Sequence, residues 1–208
     1  MIEIVQSRKT PTREIQISCK AKVVKANELL KYINNNLIVN KCRSGCPNYE
    51  NKWSCPPYAK SYDVISSRYK YAIIICFSTA MEQYTDIKNG YFSMKAANST
   101  LKSLTDKVAR EIEKKVEGYA LLCGSCRLCK SCECKQQKDC RHPERMRYSM
   151  ESTGLEEDAI AKEELFHKIL KYKNGIVPKY TTFMGVILSN CLVNKEQLAR
   201  CLEFKEKN

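Results

Sequence analysis

The chain has only 7 glycines and 6 prolines in 208 residues, with two histidines and one tryptophan. The shortage of glycine excludes most. Neither G-x-G-x-x-G nor a P-loop occurs, so a nucleotide or flavin is not expected by those routes. G-x-S-x-G is missing too, as is a cysteine–histidine hydrolase arrangement. No apolar run approaches the roughly 18 residues a spanning helix needs, and no membrane association is expected. The opening stretch, MIEIVQSRKTPTREIQ, has no apolar core, so we expect no secretory signal and a cytoplasmic location. Hydrophobic residues at 43% and charged residues at 28% exclude disorder, collagen and a coiled coil.

Positive charge is plentiful. Lys plus Arg is 36 against 23 Asp plus Glu, a net charge of +13. That raises nucleic acid, an anionic surface or an acidic partner. The composition does not favour nucleic acid, because 26 of the bases are Lys and only 10 are Arg. Phosphate and base recognition draws mainly on the planar guanidinium. No five bases are consecutive, and the excess reads as a Lys-rich solvated surface. Metal-bound thiolates would also cancel part of it.

Cysteine is the other excess, at 13 residues. Cys42, Cys46 and Cys55 fall in one window, residues 42–55. Cys123, Cys126, Cys129, Cys132, Cys134 and Cys140 fall in another, residues 123–140. Disulfide scaffolds belong to small secreted chains, and a core of this size needs no staples. Clustered cysteines in a reducing compartment read as metal ligands.

The rest of the chain indicates one domain over residues 1–208, of α/β class with α+β as the variant. A small mixed sheet would be flanked by helices, with two cysteine-rich loops projecting from its ends. Residues 26–35 suggest a short helix with Leu29, Leu30 and Ile33 inward, and residues 36–60 a loop. Residues 71–79, YAIIICFST, are continuously apolar, which fits a strand covered on both faces. Residues 99–117 place Leu101, Leu104, Val108, Ile112 and Val116 at the helical period, with Gly118 to end the helix. Residues 119–122 suggest a short strand. Thr153 with Glu156 suggests a capping box opening a helix through about Leu170, which would carry His167. Residues 176–189 suggest a strand, and Asn194 with Gln197 caps a final helix. Cys19, Cys76 and Cys201 fit core packing, and Cys191 fits packing at a strand end.

The second window reads CGSCRLCKSCECKQQKDCRHP. Bacterial ferredoxins use C-x2-C-x2-C to wrap a cubane, because a tight loop aims successive thiolates inward around a bulky cluster. A single zinc is small and tetrahedral, and uses C-x2-C pairs separated by a longer loop. The spacing therefore favours iron–sulfur over zinc, with Cys126, Cys129, Cys132 and Cys140 as ligands. Cys123 and Cys134 are left as spares or free thiols. The first window, CRSGCPNYENKWSCPP, offers C-x3-C-x8-C and no fourth cysteine. Either a distant residue such as Cys76, Cys191 or a second-window cysteine completes it, or one iron stays open as a Lewis acid. Trp53, beside Tyr49 and Tyr58, reads as a loop anchor. Arg141, Arg145 and Arg147 offer an anion site, and His142 with Glu144 either an acid–base pair or a structural one.

The stretches CRSGCPNYENKWSCPPY at 42–58 and GSCRLCKSCECKQQKDCRHPERMRYSMESTGLE at 124–156 resemble a known family. It is the uncharacterised predicted metal-binding proteins of anaerobic bacteria and archaea. The strand Tyr-Thr-Thr-Phe-Met-Gly-Val-Ile-Leu near the C-terminus fits as well. The resemblance implies metal or iron–sulfur binding through Cys42, Cys46, Cys55, Cys126, Cys129, Cys132 and Cys140. It places Glu151 in the family motif. It implies no reaction. The expectation is a protein with two [4Fe-4S] clusters, acting in electron transfer or in catalysis at an open iron. Its partner would be a redox protein or a small-molecule substrate. The alternatives are a zinc module associated with nucleic acid, and a metal or cluster carrier.

Overall fold

The computed structural model describes residues 1–203. The chain opens with an antiparallel hairpin, β1 (Ile2–Lys9) and β2 (Glu14–Lys25), in register from Ile2 opposite Ala21 to Lys9 opposite Glu14. A 3-10 helix, Ala26–Tyr32, leads to α1 (Asn35–Arg43) and α2 (Tyr62–Ser66). The central strand β3 (Tyr71–Ala80) follows, then the long α3 (Gly90–Lys115) and a three-residue β4 (Tyr119–Leu121). A 3-10 turn (Glu151–Thr153), α4 (Glu157–Leu165), β5 (Tyr180–Ser189) and α5 (Lys195–Leu202) complete it.

The domain is a five-stranded sheet with helices on both faces, ordered β1-β2-β3-β5-β4. The expected mixed sheet is corrected: every ladder is antiparallel. The strand–helix–strand crossover that suggested a mixed sheet does exist, as β3, α3 and β4. The strand β5 inserts between β3 and β4 and runs opposite to both.

The strand β3 is covered on both faces, as its unbroken apolar run predicts. Ile73, Ile75 and Phe77 face α3 and α5, whereas Ile74 and Cys76 face α4 and the 3-10 helix. Ile73, Ile74 and Ile75 are fully buried. Each such side chain contributes about 1.5–3 kcal/mol relative to exposure.

Several local expectations are corrected. The segment after β2 is a 3-10 helix ending at Tyr32, and its tighter turn leaves Leu30 exposed while Leu29 is buried. Residues 35–43 are helical rather than loop, because the Asn34 side chain accepts from the Leu37 amide. The helix α3 starts nine residues earlier than its apolar period shows, capped by Asn89. Thr153 caps nothing downstream. Its hydroxyl donates to the Met150 carbonyl, and Gly154 at φ +92° turns the chain away before Glu156 starts α4. That helix ends at Leu165, so His167 lies outside it and hydrogen-bonds Thr182 at 2.9 Å. The strand β5 begins at Tyr180, not 176. Cys191 is exposed rather than packed. The β1–β2 hairpin was not expected, although Ile15, Ile17, Cys19 and Ala21 alternate as a half-buried strand does.

Two features position the cysteine loops. Gly118 passes so close to β5 that a Cβ there would meet the Leu188 carbonyl oxygen at 2.1 Å. This close approach seats β4, whose exit is Cys123. Residues 148–150 then return beside that exit: the Leu122 amide donates to Tyr148 O, and the Met150 amide to Leu122 O.

On the other face Glu164 of α4 accepts from Lys22 Nζ at 2.8 Å and Tyr32 Oη at 2.7 Å. Burial alone would raise its pKa, but those hydrogen bonds and the lysine charges more than offset burial and hold it below 4.5. A depressed carboxylate stabilises the fold above its unfolded pKa, and this is lost as pH falls through the folded value. Glu164→Gln is expected to cost roughly 1–3 kcal/mol in urea unfolding at pH 7. The difference from wild type should shrink as the pH is lowered below about 4.5. Equal urea midpoints at pH 7 would refute this role.

Candidate metal centre

The first window begins on the last turn of α1, which carries Cys42. The chain then folds through consecutive turns: the Cys46 amide donates to Cys42 O at 3.0 Å, and the Cys55 amide to Lys52 O at 3.0 Å. These turns bring the three thiols into one neighbourhood. Burial pushes the Cys55 thiol up to about 11; Ser54 and Lys52 oppose the rise, while Cys46 and Cys42 add to it. Burial also pushes Cys42 up, with Cys46 and then Glu151 adding to it.

The second window leaves β4 at Cys123, which is pinned from α3. Lys102 is only 4% exposed. Its Nζ donates to the Cys123 carbonyl and pairs with Asp106 at 3.2 Å. The Cys123 thiol donates to Asp106 Oδ1 at 3.5 Å. Gly124, at φ +61°, then turns the loop outward. Cys126, Cys129, Cys132 and Cys140 line one cavity, with Lys52 and Trp53 on its wall. All four expected ligands are thus brought together. Burial pushes the Cys140 thiol up, and Cys126, Cys132 and Cys129 add to the rise; the His142 amide opposes it by donating to Cys140 Sγ at 3.4 Å.

The two windows dock on each other. Lys52 Nζ donates to Ser125 Oγ at 3.2 Å and to Cys126 O at 2.7 Å. The Cys126 amide donates to Ser54 Oγ at 3.1 Å. Trp53 Nε1 donates to Lys138 O at 2.9 Å, and its ring stacks edge-on against Tyr58 at 4.6 Å. The Cys134 thiol donates to Glu50 O at 3.6 Å. Cys123 and Cys134 therefore hold the loops in place from buried positions. Trp53 is the loop anchor its sequence context suggested.

The fit to a metal is a matter of donor chemistry. Among the described residues, no three His, Cys, Asp or Glu side chains converge on a point that one ion would occupy. The cavity measures only about 20 Å³. The four thiols stand around that space rather than meeting in it. A group bound at its corners would take its room from rotation of these half-exposed side chains. None of the thirteen cysteines is in a disulfide. One further atom is suggestive. Glu151 Oε2 is fully buried and has no hydrogen-bond partner among the described residues. An orphaned buried oxygen costs about 1–3 kcal/mol unless something else satisfies it.

Other candidates lie elsewhere. Cys19 and Cys76 are in the two cores, and Cys201 packs at the edge of one. Cys191 follows the opposite end of β5 from the end beside the β4 exit. Arg141 pairs with Glu133 and Arg147 with Glu113, so two of the three arginines are neutralised within the fold. Sequence reasoning missed Lys52, Ser54, Lys102 and Asp106. Each acts on a residue 17 to 74 positions away along the chain, which no local pattern reports.

Since Trp53 is the only tryptophan, its emission reports the docking. Lys52→Met is expected to shift that emission to the red and to speed proteolysis within residues 123–143. Unchanged emission and cleavage would mean that the loops stay docked without Lys52.

No curated protein and no solved structure matches the chain. A family model does match, over residues 28–189, which takes in both cysteine windows, β3, β4 and β5. The chain belongs to the predicted metal-binding protein family DUF2284.

Proposed function

We propose that this metal-binding protein is a cytoplasmic iron–sulfur protein with two [4Fe-4S] clusters, one per cysteine window. The observation that carries the reading is the four-thiol cavity of Cys126, Cys129, Cys132 and Cys140, docked through Lys52 and Ser54 onto the window that carries Cys42, Cys46 and Cys55. Thiols every third residue, standing apart around a space, suit a polynuclear group better than a tetrahedral ion. The His142 amide aimed at Cys140 Sγ is the kind of N–H···S contact that tunes a cluster. Bound there, such clusters supply one-electron transfer, and an iron without a thiolate supplies a Lewis acid.

The chain's own residues have separable tasks. Seven thiols hold metal once deprotonated, so loading releases protons, among them those that burial holds on Cys42, Cys55 and Cys140. Trp53, Leu128 and Met146 screen the second site from water. Met146 also lines an adjoining open groove of about 420 Å³ that carries Lys60 and Arg68. No acidic partner engages either of those two side chains among the described residues, so the groove suits an anionic substrate or the acidic face of a redox partner.

The test is iron and acid-labile sulfide on protein purified without oxygen. About eight of each per chain are expected, falling by about four in Cys129→Ser and by about four in Cys55→Ser. Zinc without sulfide would overturn the reading. The +13 charge would then favour a zinc module on nucleic acid, recognised by RNA or DNA affinity that falls steeply with salt. Metal handed intact to an acceptor, without turnover, would instead mark a carrier.

A further inference from the structure

The first window supplies three thiols, and among the described residues no fourth is turned toward them: Cys134 meets the window at the Glu50 carbonyl, to which its thiol donates at 3.6 Å. Cys76 sits in the core beneath α4. Cys191 lies beyond the far end of β5. The Cys123 thiol is turned to Asp106, on the α3 side. The donor placed against this window on the α1 side is a carboxylate.

Glu151 opens the 3-10 turn Glu151–Thr153, directly after the pair of backbone bonds that ties residues 148–150 to Leu122. This puts it beside Cys123. The same turn packs on α1, whose last turn carries Cys42. The packing is fixed by the Asn34 amide, which donates to Gly154 O at 2.8 Å, and by Gly154, where a Cβ would strike Asn35 Oδ1 at 1.9 Å. The turn is therefore rigidly seated between the two windows. Its carboxylate has one oxygen, Oε2, wholly buried and without a hydrogen-bond donor among the described residues. Glu151 also lies close enough to add its charge to the environments of both Cys42 and Cys123.

We infer that Glu151 supplies the fourth protein donor of the Cys42, Cys46 and Cys55 site. This rests on the metal-binding reading of that window and deepens it. A bound cation would satisfy the orphaned oxygen, and the orphan would explain why the window has only three cysteines. An oxygen donor holds iron less firmly than a thiolate does. An incoming anionic ligand would then displace the Glu151 carboxylate more readily than any of the thiolates. The first site becomes the reactive one, and the all-cysteine site the electron store.

The experiment uses full-length protein reconstituted with ferrous iron and sulfide without oxygen. It reads iron per chain and the Mössbauer spectrum for wild type, Glu151→Ala, Glu151→Cys and Cys42→Ser. Wild type should show one iron distinct from the rest. Glu151→Ala should lose that iron, about one per chain, and leave the Cys126 site intact. Glu151→Cys should restore the count and remove the distinct signal, which also shows that the fold survives substitution here. Wild-type iron and spectrum in Glu151→Ala would overturn the assignment. Unchanged iron in Cys42→Ser would instead show that the first window holds no metal, which is failure of the underlying reading and not of Glu151's role within it.

Discussion

The peptide unit around Cys126 is held from both sides. Its amide donates to Ser54, and its carbonyl accepts from Lys52, so a serine and a lysine of one window fix the first cysteine of the other window's cavity. The rest of the centre depends on this. The cavity has second-window cysteines on one wall and Lys52, Trp53 and Ser54 on the other. Remove the docking, and the second window is a loop tethered only at Cys123 and near residues 148–150. The sheet contributes the tether. A buried lysine is tolerated at position 102 because Asp106 pairs with it and the Cys123 carbonyl accepts a hydrogen bond from it. One ion pair on α3 and one lysine on the first loop therefore set where the cysteine-rich loop starts and where it turns.

Burial sets the charge of these thiols, and the docking contacts oppose it at Cys55. Burial raises Cys42, Cys55 and Cys140, so the thiols are neutral until something positive replaces their protons. A chain with +13 formal charge would otherwise gain from thiolates. Desolvation is the largest cause of the rise at all three thiols, ahead of every nearby charge. Metal bound there would displace protons from buried positions.

Much of this was legible in the sequence where the signal is local. The run at 71–79 gave the doubly covered β3, the spacing from Leu101 to Ile112 gave the apolar face of α3, and Asn194 with Gln197 formed the capping box of α5. The cysteine windows carried the four-thiol cavity. Legibility failed where geometry is non-local or where one residue interrupts a pattern. Gly154 in the left-handed region breaks the Thr153–Glu156 pair. The 3-10 turn rotates Leu30 outward, where an α-helical period would have kept it in. Antiparallel pairing was hidden because β5, the strand that splits β3 from β4, arrives last in the chain. Lys102 looks like any solvated lysine until β4 brings Cys123 beneath it.

The two sites differ in what surrounds them, and that difference gives electron flow a direction on the iron–sulfur reading. The second site has a backbone N–H on a ligand sulfur, and no carboxylate lies on its cavity wall. Both conditions favour the more negative, reduced state of a cluster. On that reading the first site would pair three thiolates with the Glu151 carboxylate, an oxygen donor of the same charge as the thiolate it replaces. The N–H that steadies added negative charge stands at the second site. Lys52 touches both windows: its charge opposes the rise at the Cys55 thiol, and its Nζ donates to Cys126 O. On the iron–sulfur reading, an electron would therefore be held more readily at the cysteine-rich loop, where the His142 amide stands, than at the first window.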